Sequence, residues 1–418
     1  MKKYDKLKVG MLEFPVGSEL EHTLIAATTG SGKSQVLQQL LNRVFYGIDG
    51  DDPPEKAIIT DLDGVFLSTR GYKTDILLNP FDKRSCKWNP FLEIHDPQSD
   101  CSFFASAMIP TDGFSGQEKD FREYAKGLLR DVMKSMFFRG ETNPRELQSM
   151  LLNCDPDSLG TYLEGTPSQS LFTESNSRFL GSVVAVLTAA LAAWTYLAPD
   201  GKFSVRSWVK NGTAKCLFFP YTSTQIDALS PLISCWLSIA VREVLSLPTE
   251  TKNGIAKRRI WLIMDELDSL GAVQSLSDAL SMGRKKGLAA IATILSIAQL
   301  KKNYGENDSN LVLACFVNKL IMRQGDYADA KHWSDYLGQV EEKRKTSSHS
   351  ASAGIRTGAT VGESETEVVK NLVLPSELIE MPKFCGYAHI SGLKDIRIFS
   401  VKPRDWPFSG ISPFVPAE

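Results

Sequence analysis

Residues 24–40 read LIAATTGSGKSQVLQQL. Leu24 to Ala27 is a short apolar run of the kind that forms a buried strand. A turn of small residues follows, ending Gly30-Ser31-Gly32. Lys33 and Ser34 then open a helix carrying Val36, Leu37, Leu40 and Leu41 at helical spacing. Strand, glycine-rich turn and helix in that order form a phosphate-binding loop. The glycines remove the Cβ atoms that would keep backbone N–H groups from a phosphate, and the helix N-terminus adds partial positive charge. The expected phosphate-binding residues are therefore Ala27, Thr28, Thr29, Gly30, Ser31, Gly32, Lys33, Ser34 and Gln35. Lys33 would reach the β- and γ-phosphates, and the Ser34 hydroxyl would hold Mg²⁺. The first motif position is usually glycine; here it is Ala27, a tolerated variant. The bland alternative is a chance glycine-rich loop, and the flanking strand and helix argue against it.

A second element lies far downstream. Arg258 and Arg259 lead into Ile260 to Met264, an apolar run with the character of a central parallel strand, which meets Asp265-Glu266. Mg²⁺-dependent hydrolysis needs one carboxylate for the metal shell and one to orient the attacking water. Asp265 suits the first role and Glu266 the second. An apolar run ending in Asp-Glu is weak evidence alone. Paired with the loop at residues 27–35 it defines a P-loop NTPase.

The 418-residue chain is long enough for two or three domains. Its composition, 43% apolar and 23% charged, is that of an ordinary globular protein. A formal net charge of −2 excludes a globally basic nucleic-acid binder, so DNA contacts would have to be local. Seven scattered cysteines with no CxxC pair suggest reduced thiols, and five dispersed histidines offer no metal cluster. The N-terminus MKKYDKLKVG has no apolar core of a signal peptide. The charge-free stretch from Phe179 to Pro199 has the length of a membrane span. It is only mildly hydrophobic, and it lies between the two nucleotide motifs, so a buried helix is expected there.

Along the chain, Leu7, Val9, Met11 and Phe14 suggest one or two short strands, and Ala57 to Thr60 a buried strand ending in Asp61-Leu62-Asp63-Gly64. Carboxylates just beyond a strand's C-terminal end face a ligand, cap the next helix or sit in a solvated turn. Residues 75–94 repeat Asn-Pro-Phe and suggest an irregular docking segment. From residue 97 amphipathic helices dominate; Phe121, Tyr124, Leu128, Val132 and Met136 make one stripe, a core face more readily than a partner site. Strand–helix alternation resumes at Cys216–Thr222 and continues through Ala289–Ile294 and Lys319–Met322, with a closing hairpin near residues 386–401. The expected organisation is a nucleotide-binding domain in two parts, residues 1–96 and 201–418, with an all-α domain at 97–200. Residues 341–367, rich in Ser, Thr, Gly and charge, are expected to form a mobile loop. Its Lys343-Arg344-Lys345 is a solvated charge run or a phosphate contact.

These residues resemble the conjugative coupling proteins of type IV secretion systems, the TraD/TrwB-type DNA-translocating ATPases. The resemblance runs over about residues 5–410. It includes TTGSGKS (28–34), ILLNPFDKRSCKWNPF (76–91), FSVRSWV (203–209), PLISCWLSIAVREVLSL (231–247), RRIWLIMDELDSL (258–270), LSMGRKKGL (280–288) and AQLKKNYG (298–305). It implies an α/β fold with a RecA-like P-loop NTPase core, a mostly parallel sheet flanked by helices, and the inserted all-α domain. It further implies ATP and Mg²⁺, homo-hexamers that move DNA through a channel, and contacts to a relaxase–DNA complex and to secretion-channel ATPases and inner-membrane components. Catalysis would use Lys33, Glu266 and an arginine from the neighbouring subunit, with Ser34 and Asp265 on the metal. Arg323, closing KLIMR, best matches that arginine, and Arg284 comes second. The family's γ-phosphate-sensing glutamine, at the end of the strand after Asp-Glu, is here Leu295, which cannot hydrogen-bond a phosphate. Gln299 matches a different family glutamine. The family's N-terminal transmembrane helices have no counterpart in this sequence. A cytoplasmic chain peripheral to the bacterial inner membrane is expected, either a soluble piece or a member anchored through a partner. Alternatives are an ATP-binding docking adaptor with little turnover, favoured by Leu295, and a protein-export or pilus-assembly hexameric ATPase.

Overall fold

The structure, a computed structural model, describes residues 6–49, 55–173, 177–252, 255–351 and 359–417. A short hairpin, β1 (Lys8–Val9) with β2 (Leu12–Glu13), precedes β3 (Thr23–Ala26), the glycine loop and α1 (Lys33–Asp49). β4 (Glu55–Leu62), α2 (Val65–Arg70) and β5 (Ile76–Leu77) follow. Next comes a run of helices: α3 (Pro97–Met108), α4 (Gly116–Arg139), α5 (Pro144–Asn153), α6 (Pro156–Tyr162), α7 (Ser177–Ala190) and α8 (Val205–Asn211). Three of these start by one device. Asp96, Asn143 and Asp155 accept hydrogen bonds from the first-turn N–H groups of α3, α5 and α6, and a proline at the next position presets the helical φ. Strands then return as β6 (Cys216–Tyr221), α9 (Ile226–Ser246), the small pair β7 (Thr251–Lys252) and β8 (Ile255–Ala256), β9 (Arg259–Met264), α10 (Leu276–Met282), β10 (Leu288–Ile294), α11 (Ile297–Cys315), β11 (Asn318–Ile321) and α12 (Tyr327–Leu337). The chain closes with β12 (Gln339–Ala351), β13 (Ala359–Asn371), α13 (Pro375–Ile379), β14 (Cys385–His389) and β15 (Arg397–Ser400).

Nine strands form one sheet in the order β15-β14-β11-β3-β10-β9-β4-β6-β5. The seven from β11 to β5 run parallel, and β14 and β15 add an antiparallel edge. Successive side chains of each central strand point to opposite faces, and the sequence is apolar on both, as a sheet covered by helices on both sides requires. Ile25, Ala27, Ile59, Trp261 and Ile263 pack with Val36, Leu37, Leu40 and Leu41 of α1. Leu24, Ala26, Ile58, Leu262 and Met264 pack on the other face with α9 and with the helices of residues 97–211. Those helices share one continuous core with the sheet; Phe104, Leu128, Val183, Leu187 and Trp194 belong to the same cluster as the strand residues.

Two expectations need correction. The segment expected as a loop at residues 341–367 contains most of β12 and β13, which pair antiparallel from Gln339↔Asn371 to Ala351↔Ala359. The composition argument concerned burial, and a two-stranded ribbon satisfies its backbone groups by pairing alone. Residues 352–358 and the side chains of 343–368, Lys343 to Lys345 included, lie outside the described residues. The charge-free stretch from residue 179 is not one continuous helix. α7 ends at Ala190, and a 3₁₀ turn, Ala192–Tyr196, follows. Val183, Leu187, Leu191 and Trp194 are buried, while Thr188 and Ala192 face outward. One helix among the described residues is long and apolar enough to cross a membrane, Ile226–Ser246, and 72% of its apolar window is buried inside the fold.

Candidate nucleotide site

Parallel strands β3, β9 and β10 end at one edge of the sheet, so the segments leaving them converge there. The turn after β3 is built as the sequence required. Gly30 and Gly32 have φ of +73° and +101°, in the left-handed region that glycine adopts without strain. A Cβ on Gly32 would also lie 2.3 Å from Cδ1 of Phe384. The Ser31 hydroxyl donates to the Thr28 carbonyl (2.7 Å), Thr28 N–H to the Arg323 carbonyl (2.9 Å), and Phe384 N–H to the Ser31 carbonyl (2.8 Å).

The Lys33 ammonium, nearly buried, sits 3.1 Å from Oε1 of Glu266 and 3.9 Å from Oδ1 of Asp265. Burial pushes the Asp265 carboxyl upward in pKa, opposed by the Lys33 charge and by the Thr293 hydroxyl. Thr293, on β10, joins the two acids. Its hydroxyl donates to Asp265 Oδ1 (2.7 Å) and accepts the Glu266 N–H (2.8 Å). The Asp265 N–H is held in turn by Thr60 of β4 (3.0 Å). Glu266 has φ 53° and ψ 53°, a left-handed conformation that costs a non-glycine residue on the order of 1 kcal/mol or more. Strain of that kind persists only where the surroundings over-determine it, as they do here.

Other expected residues are placed differently. The exposed Ser34 follows Lys33 at the start of α1. Gln35 is engaged elsewhere: its carboxamide bonds the backbone of Arg404 and the indole N–H of Trp406. Arg323 follows β11, the neighbour of β3, and its guanidinium lies 3.9 Å from where a Gly30 Cβ would be. The expected service of Arg323 to a neighbouring subunit's nucleotide concerns an assembly of several chains. Arg284 stands apart, half exposed and paired with Glu21 at 3.1 Å. Asp61 caps α2, accepting from Phe66 N–H (2.9 Å) and Leu67 N–H (2.7 Å), and burial raises its pKa to about 7. Asp63 is exposed in the turn.

Thr293 and Asp268 were not singled out in the sequence. Asp268, buried three residues beyond Asp265, accepts the N–H groups of both Leu295 and Ser296 at 3.0 Å. It thus clamps the end of β10, where the resemblance placed a sensing glutamine. The Asp-Glu-x-Asp spacing was the only available signal, and it reads equally as a solvated turn.

The donor set tests what this edge can hold. One ammonium, one hydroxyl, two adjacent carboxylates and a helix N-terminus behind glycines suit a phosphate chain carrying a hard divalent cation. Carboxylates facing a phosphate without such a cation would repel it.

The comparisons agree with this chemistry. A model of the family described as type IV secretion-system coupling protein DNA-binding domain matches residues 6–402. Coupling protein TraD of Escherichia coli K12 is 28% identical, with 97% of this chain and 54% of TraD aligned. A conjugal transfer protein TraG of Escherichia coli is 25% identical, over 87% of this chain and 62% of TraG. The chain thus spans 54% and 62% of the length of these relatives. Unbound bacterial conjugative coupling protein TrwBdeltaN70 superposes with a TM-score of 0.85 at 29% identity, covering 99% of this chain and 92% of that one. Plasmid coupling protein TrwB in complex with ADP and Mg²⁺ gives 0.84 at 30% identity, covering 99% and 92%. With nearly its whole length matched in sequence and in fold, the chain belongs to the family of type IV secretion-system coupling protein DNA-binding domains.

Proposed function

We propose that this chain is a magnesium-dependent ATPase that drives DNA transfer through a type IV secretion system. The observation that carries the reading is the Lys33–Glu266–Asp265–Thr293 cluster behind the glycine loop, buried but for the half-buried Glu266. Support comes from TrwB, solved with ADP and Mg²⁺ and with a non-hydrolysable ATP analogue.

On this reading Lys33 leaves its pairing with Glu266 and meets the β- and γ-phosphate oxygens. Ser34 and Asp265 would hold Mg²⁺, which would supply positive charge to offset that of the phosphates. Glu266, freed from Lys33, orients the attacking water and accepts its proton. Thr293 keeps the two acids in register. Arg323 supplies a further cation to the phosphates held by a neighbouring subunit, as the resemblance implies. The DNA-binding role follows the family description. A ring of six copies needs only a few basic residues per subunit along a channel, so a net charge of −2 is no obstacle. A relaxase–DNA complex as cargo, secretion-channel ATPases as partners and a position at the bacterial inner membrane belong to the same proposal.

The test is steady-state ATP hydrolysis at several protein concentrations, with and without single- and double-stranded DNA, beside Lys33→Ala and Glu266→Gln. Turnover is expected to rise with DNA and with protein concentration. It should fall by about a hundredfold or more in Glu266→Gln, which keeps ATP affinity, while Lys33→Ala loses affinity as well. Bound ATP without turnover under any condition would instead identify an ATP-gated docking adaptor. Turnover indifferent to DNA would identify a protein-export type of motor.

A further inference from the structure

Residues 402–417 form no helix or strand beyond a single bridge at Pro416, yet they are anchored along the edge of the sheet that carries the glycine loop. The Gln35 carboxamide starts the series. Its Nε2 donates to the Arg404 carbonyl (2.9 Å), and its Oε1 accepts the Arg404 N–H (3.1 Å) and the Trp406 indole N–H (3.2 Å). Arg70 lies 4.5 Å above the Trp406 ring. Further on, Ser409 N–H donates to the Ser68 carbonyl (2.7 Å), Arg84 Nη1 to the Ser412 carbonyl (2.7 Å) and Lys83 N–H to the Val415 carbonyl (2.9 Å). Arg404 is exposed, and its guanidinium makes no ion pair among the described residues.

The glycine loop and the first turn of α1 set which way a nucleotide lies. Glu266 and Thr293, at the γ-phosphate end, come from β9 and β10 on one side of β3. Phe384 comes from just before β14, on the other side, and the chain after β15 crosses the start of α1 at Gln35, where Arg404 and Trp406 are held, to reach Arg70 and Ser68 of α2. Lys33 faces the β/γ end, and the next residues of the helix's first turn lie toward the α-phosphate. A nucleotide held by Lys33 with its γ-phosphate at Glu266 therefore runs past Gln35, and so past Arg404 and Trp406.

We propose that Arg404 and Trp406, positioned by Gln35, form the nucleoside wall of the site: Trp406 flanks base and ribose, and Arg404 places a cation at the α-phosphate. This rests on the nucleotide-binding reading above. The test uses the full chain with a fluorescent ADP, displaced either by ATP or by inorganic tripolyphosphate, which has the phosphates but no nucleoside. Trp406→Ala should weaken ATP about tenfold and leave tripolyphosphate within about twofold. Arg404→Ala should weaken both ligands, and Arg404→Lys should restore much of the loss. The distant anchors at Ser409, Ser412 and Val415 remain in every variant, and melting temperatures check the fold. Equal losses of ATP and tripolyphosphate in Trp406→Ala, or no loss of either, would overturn the wall while leaving the nucleotide site standing. Failure of the unaltered chain to bind either ligand would overturn the nucleotide reading itself, and the wall with it.

Discussion

Thr293 shows what a single residue can hide. In the sequence it is one more β-branched residue in a strand. In the fold its hydroxyl is the only group that touches both the Asp265 carboxylate and the Glu266 backbone among the hydrogen bonds of the described residues. Thr293→Val keeps the shape and removes both bonds, stranding a buried N–H and part of a buried carboxylate. The expected cost is about 1–3 kcal/mol of stability, read from urea unfolding. A fall in kcat of about tenfold or more with KM nearly unchanged should accompany it, because Glu266 would lose its hold in a left-handed conformation. A loss of stability with kcat intact would show that Thr293 only fills space. The contrast with Lys33 is instructive. The glycine loop was legible because backbone geometry fixes its spacing within a few residues. Thr293 was not, because its partners lie 27 and 28 residues away in the chain and meet it only when β9 and β10 pair.

At the scale of elements, the edge of the sheet opposite the site is held by His22. It follows the 3₁₀ turn Ser18–Glu21, and both ring nitrogens are used. Nε2 bonds the Leu280 carbonyl of α10 (2.7 Å), and Nδ1 accepts the Ala290 N–H of β10 (3.0 Å). A proton on Nδ1 would face that N–H donor, so the fold favours the neutral ring. Burial lowers the pKa from 6.5 to about 4; the Leu280 hydrogen bond and Glu21 pull the other way, and Arg284 adds to the lowering. The sign is then fixed. Below pH 6.5 the unfolded chain takes up a proton that the folded chain refuses until about pH 4, so stability is full above 6.5 and falls across that window. The loss should reach about 3 kcal/mol. Urea midpoints of the protein and of His22→Gln between pH 7.5 and 4.5 test this, since glutamine can serve both partners without titrating. Parallel pH profiles would exclude His22 as the source. Strands such as β9 and β10 were legible from their apolar runs. The β12–β13 ribbon was not, because backbone pairing needs no apolar signal.

Across the whole molecule, the question is how a helical segment inserted between two parts of a sheet stays in place. An aromatic hub answers it. Trp88, from the irregular Asn-Pro-Phe segment, lies 5.6 Å from Trp236 of α9, 6.4 Å from Trp194 of the 3₁₀ turn and 6.2 Å from Phe104 of α3. Trp236 in turn meets Phe219 of β6 at 5.4 Å. The Trp88 indole N–H is satisfied by Glu93 (2.8 Å), whose carboxylate also takes the N–H groups of Val205 and Arg206 where α8 begins. The amphipathic stripes between residues 97 and 200 announced helices, but period alone says nothing about which loop they pack on. Because this hub belongs to the same core as the sheet, helices and sheet should unfold as one cooperative unit. Trp88→Ala removes the ring that Trp236, Trp194 and Phe104 all touch, at a cost of about 3–5 kcal/mol. If the core is continuous, far-UV circular dichroism and tryptophan fluorescence will report one coincident urea transition, shifted to lower urea in the variant. If the fluorescence transition instead separates and precedes the loss of strand signal, the helical segment is an independent unit only clasped to the sheet.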